Sequence, residues 1–96
     1  MYASPPADER KRLADKWHQK LGQASNRRER EAVYIVMHRL SNKGNREIFE
    51  MVRKGEQYNA PKARKWIYDR LRLAKEFAEK NGLDFPSFIL KKVTLL

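Results

Sequence analysis

The chain has 96 residues, 22 Lys and Arg against 12 Asp and Glu, no Cys, and a formal net charge of +10. That length fits one domain, too small for a deep substrate cavity, and the missing Cys excludes disulfides, thiolate metal sites and thiol catalysis. A hydrophobic content of 41% is too high for a disordered chain, and no apolar run approaches the roughly 20 residues of a membrane span.

The N-terminus lacks the basic-then-apolar pattern of a secretory signal. The composition therefore predicts a small protein of a reducing compartment, cytoplasmic or nuclear, whose partner is acidic. Taken in chain order, the punctuation predicts helices. Ser4 before Pro5 and Pro6 reads as an N-cap with proline in the first turn. Leu13, Trp17 and Leu21 then share a face, and Gly22 to Asn26 break the helix. Asn26 and Glu29 have capping-box spacing. They open a second helix with Val33, Val36, Met37 and Leu40 as its stripe. Gly44 is expected in the left-handed conformation at its end.

Asn45 is read as the cap of a short third helix, with Ile48, Met51 and Val52 buried and Gly55 as its stop. Asn59, with Pro61 just inside, opens a long fourth helix that ends at Gly82. Ala60, Ala63, Ile67, Leu71, Ala74 and Ala78 form its seam. In the last segment Asp84 reads as a cap, and Leu83 and Phe88 have hydrophobic-staple spacing. Phe85, Phe88, Ile89, Val93 and Leu96 then share a helical face; the alternative is a strand from Phe88 to Leu95. A helix is favoured, because no other segment reads as a partner strand. The expected fold is all-α, a single domain of four or five helices with a helix-turn-helix-like unit. The turn at Gly55 to Tyr58 is longer than the tight form of that unit.

Charge is unevenly placed. Residues 59–96 carry nine Lys and Arg against four Asp and Glu, half the net excess. On a helical wheel Lys65, Asp69 and Arg72 lie opposite Ile67 with Lys62 nearby, and Arg64, Tyr68 and Lys75 line one flank. Trp66, Leu73 and Phe77 share the other flank, with Arg70 inside this apolar sector. Arg70 reads either as a snorkelling side chain or as a desolvated guanidinium held for a carboxylate or phosphate.

A phosphate backbone rewards clustered Lys and Arg through counterion release. The leading expectation is therefore nucleic-acid binding, DNA favoured, by Lys43, Arg46, Lys62, Arg64, Lys65, Arg72 and Lys75. The alternative is a helical protein-interaction module or small regulator that docks an acidic partner through Trp66, Arg70, Leu73 and Phe77. The apolar tail from Ile89 to Leu96 either packs on the core or meets a partner or second copy. A basic first helix around Leu13 and Trp17 also admits a membrane-surface role, though core packing explains it better.

Catalysis is not expected. His18 and His38 lack metal-ligand spacing, Ser4, Ser25, Ser41 and Ser87 sit at caps or turns, and the glycines are isolated helix stops rather than a phosphate loop. No metal or cofactor is expected.

Overall fold

The computed structural model describes residues 6–90. Four α-helices run in order: α1 (Ala7–Gln19), α2 (Arg27–Leu40), α3 (Asn45–Val52) and α4 (Ala60–Asn81). A 3-10 turn at Leu21–Gln23 links α1 to α2. Residues 88–90 are helical at the end of the described chain. Among the described residues all regular structure is helical, as the periodicities predict. No helix is long and apolar enough to cross a membrane.

Local chemistry sets most helix ends. Asn26 is extended and its side chain accepts from the Glu29 N–H at 2.9 Å. Glu29 returns to Ser25 rather than to Asn26, accepting from the Ser25 N–H and hydroxyl at 2.8 Å each. The Ser25 N–H, then its hydroxyl, and then Lys80 hold the Glu29 carboxyl below its usual range. Asn59 caps α4 by accepting from the Lys62 N–H at 3.2 Å. Gly82 closes α4 in the left-handed conformation at φ 65°, and the Leu83 N–H returns to the Ala78 carbonyl at 2.9 Å.

Three caps differ from expectation. Helix α1 starts at Ala7 after Pro6, with no side-chain cap; Ser4 lies outside the described residues. Asn42, not Gly44, takes the left-handed conformation after α2, at φ 63°. An Asn tolerates that region because its short polar side chain can bond locally. Gly44 is then extended and precedes α3, so Asn45 lies in the first turn, where its side chain turns inward.

The core draws on every helix. Helix α2 makes its most extensive contact with α4, through Val33, Val36 and Leu40 on one side and Ile67, Leu71 and Ala74 on the other. Helices α1 and α3 both pack on α2, and α3 also meets α4. Ala60 is exposed, so the α4 seam begins at Ala63. In α3 the buried pair is Ile48 and Phe49, while Met51 points outward; the short helix has contacts on two sides, and its register follows Phe49 into an aromatic cluster. The Cα envelope measures 36 × 33 × 18 Å, a slab about two helices thick.

Residues 83–86 are not helical, so Asp84 is not a helix cap. Its carbonyl instead accepts from Trp17 Nε1 at 3.1 Å, and Phe85 lies 6.3 Å from the Trp17 ring. This satisfies the indole of a fully buried Trp, which outweighs continued helix at 84. Phe88 and Ile89 are core residues. Val93, Leu95 and Leu96 lie outside the described residues.

Candidate nucleic-acid interface

Helix α4 is held by its apolar seam, and the seam fixes what faces solvent. Lys62, Arg64, Lys65, Arg72 and Lys75 are all exposed. None of the five has an ion-pair partner among the described residues, although cations elsewhere do. Arg27 and Arg70 meet Glu31, Arg46 meets Glu50, Arg53 meets Glu56, and Lys80 meets Glu29. Asp69 is the one acid within the span from Lys62 to Lys75. Glu76 and Glu79, both exposed, end the cationic stripe on the last third of the helix.

The stripe runs from Lys62 to Lys75, 13 residue steps or about 20 Å at 1.5 Å per residue. Tyr68 lies inside it, 41% exposed, one turn from Arg64 on one side and Arg72 on the other. The wheel placed Tyr68 on this flank, but only its exposure makes it a candidate contact.

Arg46 and Lys43 stand in different surroundings from these five. Arg46 is bonded to Glu50 at 3.2 Å and its guanidinium lies 5.1 Å from the Tyr58 ring centre. Lys43 is half-buried and borders a hollow formed by α1, α2 and α3, to which α4 contributes nothing.

The other flank of α4 is engaged internally. Phe77 is 1% exposed and its ring lies 6.0 Å from Trp17, so it belongs to the core. Leu73 is half-buried against that core. Trp66 meets Phe49 edge-on at 5.9 Å and lies between two guanidinium groups, Arg53 at 5.2 Å and Arg70 at 5.5 Å. Arg70 donates to Glu31 at 2.9 Å, with side-chain exposures of 12% and 10%. The desolvated reading of Arg70 therefore describes it, with a carboxylate from within the chain 39 residues away. Trp66, Arg70, Leu73 and Phe77 do not form an open apolar patch.

Seven residues separate α3 from α4, from Arg53 to Asn59, roughly twice the length of the tight helix-turn-helix connection. The segment is shaped from within. Gly55 takes φ 86°, Arg53 Nε donates to Glu56, and Tyr58 packs edge-on against Phe49 at 5.8 Å. The Arg53 bond holds the Glu56 carboxyl below its usual range. No protein-family model, curated protein or solved structure matches this chain.

Two features escaped the sequence. One is the Glu31 to Arg70 pair, invisible because its members are distant in the chain. The other is Arg39, 1% exposed, whose guanidinium donates to Asn45 Oδ1 and, at 3.5 Å, to the Lys43 carbonyl. No carboxylate reaches it among the described residues, and burial lowers its pKa to about 10.

Proposed function

We propose that this protein binds nucleic acid, with duplex DNA favoured, through the exposed face of α4. The observation that carries the reading is the set of five unpaired cations at Lys62, Arg64, Lys65, Arg72 and Lys75 on one rigid helix face. Five other Lys and Arg side chains, Arg70 and Lys80 of α4 among them, are matched to carboxylates, whereas Arg30, Lys43 and Lys54 have no ion-pair partner among the described residues. Like charges crowded along about 20 Å repel one another, and a polyanion relieves that repulsion while releasing condensed counterions. Tyr68 adds a hydroxyl for a phosphate oxygen or a ring for an unpaired base. Recognition of this type is dominated by the backbone and is weakly sequence-selective, because no base-reading set stands out on the face.

The test is fluorescence anisotropy with a duplex DNA of about 20 base pairs across a salt series. Five phosphate contacts give a log–log slope near −4.5 for duplex, and near −3.5 for single strands. Changing Lys65 and Arg72 to Glu should reduce the slope by about 2 without altering the fold, since both are exposed. Absence of salt-sensitive binding at low salt to either duplex DNA or single-stranded RNA rejects the reading. Equal slopes for the protein and the double variant reject the assignment to α4.

A further inference from the structure

The exposed side of α2 carries a chemically different surface from α4. Along α2, Arg27, Arg30, Tyr34 and Met37 recur at three- and four-residue intervals, out of phase with the buried Val33, Val36 and Leu40. They border the open hollow between α1, α2 and α3, whose volume is about 730 Å3. Much of its lining is apolar. Tyr34 and Met51, exposed at 40% and 43%, lie there with Met37 and Val52. Only three large hydrophobic side chains stand out as exposed among the described residues, and two of them are in this hollow.

The lining is also cationic. Arg30, Lys43 and Lys54 border the hollow with no ion-pair partner among the described residues, and Arg27 lies beside them. The one acid in the lining is Glu31, which is already bonded to Arg70 and Arg27. A lining that is both apolar and positive requires an occupant that is both apolar and acidic. Phosphodiester backbone leaves the two Met side chains uncovered. A second copy of a chain with net charge +10 brings more positive charge to a positive lining. A flat membrane surface does not enter a concavity.

We propose that this hollow docks an acidic amphipathic helix of a partner protein. Apolar side chains at i, i+3 or i+4, and i+7 of that helix cover Tyr34, Met37 and Met51, and its flanking carboxylates meet Arg30, Lys43 and Lys54. This site shares no residue with the α4 face, so nucleic acid and protein partner can be held at once.

The test uses a labelled peptide of about 16 residues, with Leu at three- and four-residue intervals and Glu at the remaining positions. A scrambled peptide of identical composition serves as the control. Expected results are saturable anisotropy with the patterned peptide, roughly tenfold weaker binding of the scrambled one, and a comparable loss in the Tyr34→Glu/Met51→Glu variant. The Lys65→Glu/Arg72→Glu variant should bind the peptide as the parent does. In a 15N–1H spectrum the peptide should shift resonances of residues 27–54 and leave the exposed residues of α4 unmoved. The proposal is overturned by any of four results: no saturation, equal binding of the scrambled peptide, unchanged affinity in the Tyr34→Glu/Met51→Glu variant, or displacement of the peptide by duplex DNA. Thermal melts of the variant check its fold; if it is unfolded, the location of the shifted resonances decides.

Discussion

Removing the Asn45 side chain should expose the cost of the buried Arg39. The guanidinium is 1% exposed, its Nε has no hydrogen-bond partner, and the Lys43 carbonyl is 3.5 Å away. Asn45 Oδ1 is thus its main acceptor. Burial without a carboxylate partner lowers its pKa to about 10, so the charged form bears an uncompensated desolvation cost. Because the folded value lies below the unfolded one, the unfolded chain binds the extra proton in the strongly alkaline range above about pH 10. The contribution of this group to stability therefore rises with pH only in that window, and its full penalty applies at neutral pH. Asn45→Ala removes a hydrogen bond to a charged group, a loss of about 2–3 kcal/mol. With a urea slope of about 1.5 kcal/mol/M, the unfolding midpoint falls by roughly 1.5–2 M.

Arg39→Met removes the desolvation penalty but leaves the buried Asn45 amide without its donor, so it should fall within about 1 kcal/mol of the parent. The double variant loses both problems and should regain the parent's stability, making the cycle non-additive by about 2–3 kcal/mol. Urea unfolding followed by far-UV circular dichroism measures all four proteins. Additive effects, or an Arg39→Met loss above about 3 kcal/mol, would refute the reasoning by showing that the guanidinium is well compensated.

Glu31→Gln should destabilise the protein by about 2–4 kcal/mol, because it strips the nearly buried Arg70 of its carboxylate; adding Arg70→Met should recover part of the loss in the same unfolding assay. The exposed Arg27 pair contributes little to that figure. His38 should give a separate acid limb. Its pKa is lowered by burial and then by the nearby Lys43, against the opposing pull of Glu47. The unfolded chain therefore takes up the proton first as pH drops below about 6.5, and stability declines until the folded value is passed. A midpoint series from pH 7.5 to 5 should show this decline, and His38→Gln should flatten it; an unchanged limb assigns the effect elsewhere.

What the sequence settles by itself is local. Asn26 and Asn59 cap their helices, and Gly82 ends α4, because each bond closes within about four residues. The apolar stripes of α2 and α4 are legible for the same reason, and so is the cationic run from Lys62 to Lys75, which needs only helical periodicity to become a face. Where two local solutions compete, packing chooses. Asn42 rather than Gly44 makes the left-handed turn, which frees Asn45 to face Arg39. Asp84 gives up a cap so that its carbonyl can satisfy Trp17.

Tertiary structure alone decides the rest. Phe77 reads on a wheel as the neighbour of Trp66, but its ring is against Trp17, because a wheel shows direction and not what lies there. Glu31 neutralises Arg70 across 39 residues, a match that no spacing rule encodes. The hollow beside Tyr34 and Met51 exists only because α1 and α3 both pack on α2 and leave its outer stripe uncovered. The net charge of +10 is a property of composition. Which of those charges remain unpaired follows from packing, which sets the distance from each cation to its nearest carboxylate.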